Sequence, residues 1–190
     1  MSIEALVLAN RSYRAFDESR PVTADMMQKW IDLARRTPSG MNRQPIRYRI
    51  LTEQSDLDKM RLNARFAPSL GLGLPPEGRR PTGYIILFTD KEANSPTSLA
   101  LKDIGIAAQT ILLAAAEAGF GGCMLGSFDP ARLLADFAID ARYEPQLVIA
   151  LGTPDEEIVL EDAVGDALHY HRDAAGVHYV PKRTLDDVLI

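Results

Sequence analysis

The strongest pattern along the chain is "ADMMQKWIDLARR", residues 24–36, in which Met27, Trp30, Ile31 and Ala34 return to one helical face. Thr23 supplies an N-cap for that helix, and Pro38 marks its stop. A shorter apolar run predicts a first helix over residues 2–9. Past "TPSGMNRQP", the stretch "IRYRIL" alternates apolar and basic positions, the period of a half-exposed strand. A short helix is expected around 55–65. The Gly/Pro-rich "APSLGLGLPPEGRRPTG" then shows no periodicity, and its length predicts a lid or a mobile segment.

"YIILFT" (84–89) is a continuous apolar run and predicts a central strand. Residues 98–118 form the longest predicted helix, apolar over much of its circumference, which suits a core or subunit-interface position. "GGCMLGSF" predicts a short strand bounded by glycines. "DPARLLADF" carries Asp129 as N-cap with Pro130 at the first helical position, and "PQLVIALG" predicts another buried strand. In the tail, two short extended arms flank "DAAG", and a final helix follows Thr184. Helices and strands mix without a βαβ rhythm, and no repeat or linker interrupts them. The expectation is a single α+β domain over residues 1–190.

Composition narrows the function classes. The chain has 190 residues, 46% hydrophobic and 25% charged, which is ordinary for a globular domain with a real core. A net charge of -5 argues against a nucleic-acid partner, whose proteins usually carry a basic face. Cys123 is the single cysteine, so no intramolecular disulfide forms and a reducing compartment is expected. The N-terminal apolar run lacks a basic leader and reads as an amphipathic helix, not a signal peptide. "IGIAAQTILLAAAEAGFGG" is broken by Gln109 and Glu117 and reads as a buried helix, not a membrane span. The expected location is the cytoplasm, away from membranes.

Several stretches combine features of chemical interest. In "RSYRAF", Arg11, Ser12 and Arg14 either decorate a helix end or form an anion clamp, since guanidinium forks bind anionic oxygens in pairs. "PSGMN" (38–42) is a turn by composition, and it also brings backbone N–H groups close to a flat ligand. The glycines of "GFGGCMLGSF" precede a strand, so this is no dinucleotide fingerprint; they permit either tight strand packing or close approach to a ring. Cys123 reads as a small packed hydrophobe. His169, His171 and His178 lack the further ligands a metal site needs and read as polar surface residues. Lys182 and Arg183 in "PKRTL" are a solvated pair or a phosphate contact. No nucleophile–base pair, P-loop or carboxylate dyad stands out. Anion-seeking residues without a catalytic trio fit an enzyme whose cofactor carries the chemistry.

The ordered set "NRSYRAF", "ARRTPSGMNRQPIRYRIL", "GIAAQTILLAAAEAGFGGCMLGSF", "LVIALGTP" and "VPKR" resembles the FMN-dependent nitroreductase family over nearly the whole chain. The resemblance implies a central, mostly antiparallel sheet flanked by helices, in an interlocked homodimer with FMN at the subunit interface. It implies that Arg11, Ser12 and Arg14 hold FMN, with Arg14 nearest the N1 and O2 edge. Pro38, Ser39, Gly40, Met41 and Asn42 would reach the same FMN from the partner subunit. Met124, Leu125 and Gly126 would line the ring, and Lys182 and Arg183 would meet the phosphate. The implied activity moves reducing equivalents from NADH or NADPH through FMN to a nitro compound, quinone or similar small electrophile, in ping-pong order. No protein side chain is expected to be catalytic in its own right; Arg14 would tune the flavin. The rivals are a flavin enzyme for one metabolite, of dehydrogenase or dehalogenase type, and a non-catalytic FMN-binding protein.

Overall fold

A computed structural model describes residues 1–67 and 73–190. The lid or mobile segment expected over 67–83 falls in part on residues 68–72, outside the described residues. The chain divides into two compact units, Met1–Pro154 and Asp155–Ile190.

The first unit is built on a five-stranded antiparallel sheet. Strand β5 (Tyr143–Pro154) is its spine. On one side β5 pairs with β3 (Gly83–Asp90), which pairs in turn with the edge strand β2 (Ile46–Leu51). On its other side β5 pairs first with β4 (Gly121–Leu125) and then, through its last two residues, with the short β1 (Phe16–Asp17).

Both faces of β3 and β5 are covered, which is why those strands read as unbroken apolar runs and not as alternation. Ile85, Leu87, Ile149 and Leu151 face one layer, made by α2 (Ala24–Ala34) and α4 (Thr97–Glu117). Tyr84, Ile86, Phe88, Val148 and Ala150 face the other, made by α3 (Gln54–Asn63) and α5 (Pro130–Asp136). β2 has helices against one face only, and its burial alternates accordingly.

The capping chemistry matches the sequence. Thr23 accepts the Met26 N–H, and Asp129 accepts the Arg132 N–H ahead of Pro130. On α2, Met27, Trp30 and Ala34 are buried, with Trp30 tilted against Phe120 at 5.9 Å. By length and composition α4 could cross a bilayer; half of its most apolar stretch is instead buried inside the protein. It still exposes Leu101 and Ile106, 49% and 41% accessible. The first helix, α1 (Ile3–Ala9), has no buried residue.

The second unit is a three-stranded sheet in which β8 (His178–Lys182) lies between β6 (Ile158–Asp162), parallel to it, and β7 (His171–Arg172), antiparallel. A four-residue helix α6 (Leu185–Val188) follows, with Thr184 and Asp187 closing a capping box. The expectation of surface histidines is corrected here. His169 and His171 are exposed, but His178, at the start of the central strand, is buried. Tyr170 meets its ring edge-on at 5.3 Å.

Candidate functional site

The stretch after α1 runs alongside β4. Ser12 forms a parallel bridge with Gly122, and the Tyr13 N–H donates to the Gly122 carbonyl at 3.0 Å. Gly121 makes this approach feasible: a Cβ there would sit 2.5 Å from the Tyr13 ring. The phenol of Tyr13 donates back to the Ala9 carbonyl, fastening the segment to α1. Arg11, Ser12 and Arg14 therefore lie on a segment held against β4 at Gly122, two residues before Met124.

The two arginines differ in setting. Arg14 is buried, and its Nη1 donates to the Ser12 carbonyl at 3.0 Å. Arg11 is half-buried and donates from Nη2 to the Val7 carbonyl, while its buried Nε–H has no hydrogen-bond partner among the described residues. A buried donor left in that state needs an acceptor from elsewhere. Ser12 is exposed. On β4, Met124 is 37% accessible, and a Cβ on Gly126 would meet nothing within 4 Å. Leu125 is buried in the core shared by α3 and α5, and Gly126 after it is exposed.

The second predicted segment, 38–42, rests on a different support. Asp103, buried on the apolar stripe of α4, accepts the Ser39 hydroxyl at 2.6 Å. Its two oxygens also accept the Gly40 N–H at 2.9 and 3.2 Å. Ser39 Oγ accepts the Gln44 N–H in return, at 3.0 Å. Gly40 lies so close to α4 that a Cβ would come 2.9 Å from that of Leu99. Around this anchor the backbone turns left-handed at Met41, Asn42 and Gln44, with φ of 54°, 53° and 49°. Asn tolerates that region; for Met41 and Gln44 it costs about 1–2 kcal/mol each. Met41 is 67% exposed, so the turn presents an apolar side chain to solvent. Behind it a cleft of about 280 Å³ is lined by Ile31, Ala34, Pro38, Ser39, Tyr48 and Asp103. Burial pushes the Tyr48 phenol up to about 12.

A second carboxylate secures the exit of the turn. Asp90, at the end of β3, has a buried side chain gripped by the Arg142 guanidinium through two contacts of 2.7 Å. Arg47 reaches the same carboxylate at 2.9 Å, and the Asp90 N–H donates to the Pro45 carbonyl. Hydrogen bonding from Arg142 holds the Asp90 carboxyl at about 2, well below the usual range.

In the second unit, Lys182 ends β8 and is exposed, while Arg183 pairs with Asp166 at 2.8 Å. Among the described residues no group of three or more His, Cys, Asp and Glu lies close enough to share a metal ion.

Asp103 and Asp90 were not among the residues the sequence singled out. Asp103 carried a signal: it falls on the buried stripe of α4 with Ala100, Ala107 and Ile111, where an acid requires partners.

The fold recurs in solved proteins. A candidate NADH oxidase from Clostridium acetobutylicum is 25% identical, with a TM-score of 0.66, 79% of this chain and 87% of that one being covered. A candidate nitroreductase from Desulfovibrio desulfuricans, solved in complex with FMN, is 24% identical with a TM-score of 0.70, over 82% and 88% of the two chains. A candidate NAD(P)H:FMN oxidoreductase from Staphylococcus epidermidis is 18% identical with a TM-score of 0.74, over 100% and 95%. The family profile that matches this sequence extends from residue 7 to residue 153, taking in the arginine segment, the Asp103-anchored turn and β4 together, and by that match the chain belongs to the nitroreductase family.

Proposed function

We propose that the protein is an FMN-dependent oxidoreductase acting as a homodimer in the cytoplasm. The observation that carries this reading is the arginine segment against β4. Arg11 keeps a buried donor without a partner among the described residues, Arg14 holds a second positive charge three positions on, and Gly126, just past β4, leaves open space beside its backbone. Such a site suits an anionic, flat ligand, and the relative from D. desulfuricans is solved with FMN.

On this reading Arg11 and Ser12 hold anionic and polar oxygens of FMN, while Arg14 keeps positive charge beside the ring. Met124 contributes apolar contact, and the exposed backbone at Gly126 is available for hydrogen bonding. Bound FMN would supply the two-electron chemistry, with NADH or NADPH as the donor and a small electrophile such as a nitro compound or quinone as the acceptor, in ping-pong order. The protein contributes fixed charge that favours the reduced, anionic ring.

Pro38, Ser39, Gly40, Met41 and Asn42 serve the site of the partner subunit. What supports a dimer is surface left uncovered within one chain: Leu101 and Ile106 on α4, Ile3, Val7 and Leu8 on α1, and the outer edge of β2.

The test begins with the visible spectrum of purified protein, with FMN added to any flavin-free fraction. It continues with NADH and NADPH oxidation in the presence of a nitroaromatic or quinone acceptor. Flavin uptake with acceptor-dependent turnover is expected. Protein that takes up no FMN refutes the reading; uptake without turnover leaves a flavin-binding protein and refutes the enzyme.

A further inference from the structure

We propose that Asp103 is a positioning residue for flavin binding, acting through the turn at 38–44 and not by touching the cofactor. This rests on the FMN reading above. Asp103 is 5% exposed, and its carboxylate accepts the Ser39 hydroxyl and the Gly40 N–H. Ser39, so held, receives the Gln44 N–H. The Asn42 N–H closes on the Ser39 carbonyl, and the Arg43 N–H on that of Gly40. The left-handed residues Met41, Asn42 and Gln44 thus hang from one buried acceptor.

A backbone held in a sparsely populated region persists only where its surroundings over-determine it. Here the over-determining group is an anion with two acceptor oxygens, both aimed at donors of the turn. Asparagine at this position keeps the shape but turns one acceptor into a donor. At Oδ2 that donor would displace the acceptor of the Ser39 hydroxyl, 2.6 Å away, and at Oδ1 it would face the Gly40 N–H, 2.9 Å away, so in either orientation the turn would lose one charged hydrogen bond while α4 kept its packing. The exposed Met41 side chain and the backbone beside it would then sample other conformations. A ligand requiring the observed one would bind more weakly by the fraction of time lost.

The experiment measures FMN affinity by fluorescence titration of apo-protein. It compares the wild type with Asp103→Asn, Ser39→Ala, Arg11→Ala and Ile111→Val, the last a core control on the same helix. Asp103→Asn should weaken binding about ten- to a hundred-fold and Ser39→Ala about three- to ten-fold, the range for one lost charged or neutral hydrogen bond. Ile111→Val, although it destabilises the core, should bind FMN as the wild type does. The visible circular dichroism of bound flavin, which reads the asymmetry of its surroundings, should change in Asp103→Asn and stay constant in Ile111→Val.

Wild-type affinity in Asp103→Asn overturns the assignment. So does an Asp103→Asn protein that fails to fold while Ser39→Ala retains full affinity, because Asp103 would then matter to folding alone. Weakened binding in Arg11→Ala with none in Asp103→Asn refutes the role of Asp103 and leaves the flavin site standing; a wild type that takes up no FMN removes both.

Discussion

Replacing Gly122 by alanine puts a methyl group where β4 has no room for one. The new Cβ would lie 2.4 Å from the Ala150 carbonyl oxygen on β5, 2.8 Å from Leu112 Cδ2 and 3.0 Å from Leu151 Cδ2. The two leucine ends can rotate, but a strand carbonyl cannot, and its approach has to open to at least 3.0 Å. Moving β4 away from β5 strains the ladder that runs from Gly121–Gly152 to Leu125–Val148. Overpacking usually costs about 1–3 kcal/mol, and a backbone obstacle belongs at the upper end, so a loss near 3 kcal/mol is expected. Since Ser12 and Tyr13 hang from Gly122, the same shift should displace the arginine segment and weaken FMN binding. Urea unfolding without added FMN, at one fixed protein concentration, reads the stability. Gly126→Ala is the matched control: nothing lies within 4 Å of its new Cβ, so its stability should stay within about 0.5 kcal/mol of wild type. If Gly122→Ala unfolds with the midpoint of that control, the packing of β4 against β5 described here is wrong.

Other consequences can be checked separately. Arg14→Gln removes charge while keeping donors, and each ~1.4 kcal/mol of lost preference for the reduced ring lowers the two-electron potential of bound FMN by about 30 mV; a redox titration returning the wild-type potential would remove Arg14 from the ring. The Asp90 carboxyl is held at about 2. In the unfolded chain it titrates near 3.9, so between those values the unfolded state binds more protons. Its stabilisation is present above that range and is lost as pH falls from about 4 towards 2. Asp90→Asn should flatten that part of the stability–pH curve, and an unchanged slope in acid urea titrations counts against the Arg142 grip. On the exposed face of α4, Ile106→Lys should shift the sedimentation coefficient from dimer to monomer, whereas a variant that sediments as the wild type does places the interface elsewhere.

How far the sequence could be read depended on whether a signal was local. β2 emerged with its observed bounds because one covered face produces one alternation. Thr23 and Asp129 were legible as caps because the donors they satisfy lie three residues away. β6 was not legible: Ile158–Asp162 is five residues long, and its parallel pairing with β8 is set by a register some twenty positions distant. His178 escaped too, since its burial depends on tertiary packing that includes the Tyr170 ring eight positions earlier. At the site, the arginine and glycine segments could be named, but their juxtaposition through Ser12 and Gly122 depends on the path of the chain between them. The anchoring role of Asp103 appears only once Ser39 and Gly40 are seen to meet it across 64 and 63 positions.

The turn after α2 is tied down at both ends, at Ser39 and Gly40 by Asp103 and at Pro45 and Arg47 by Asp90. Between fixed ends, the main demand on sequence is the left-handed backbone at Met41, Asn42 and Gln44. Residues 41–44 therefore form a cassette whose side chains can be exchanged among residues that accept a left-handed backbone at 41, 42 and 44 and keep the N–H groups of 42–44, because neither fastening uses a side chain from inside it. A library at those four positions that leaves out proline and β-branched residues should return a large share of soluble, folded chains that differ in what they bind. The same library placed at 37–40, across the first fastening, should return few.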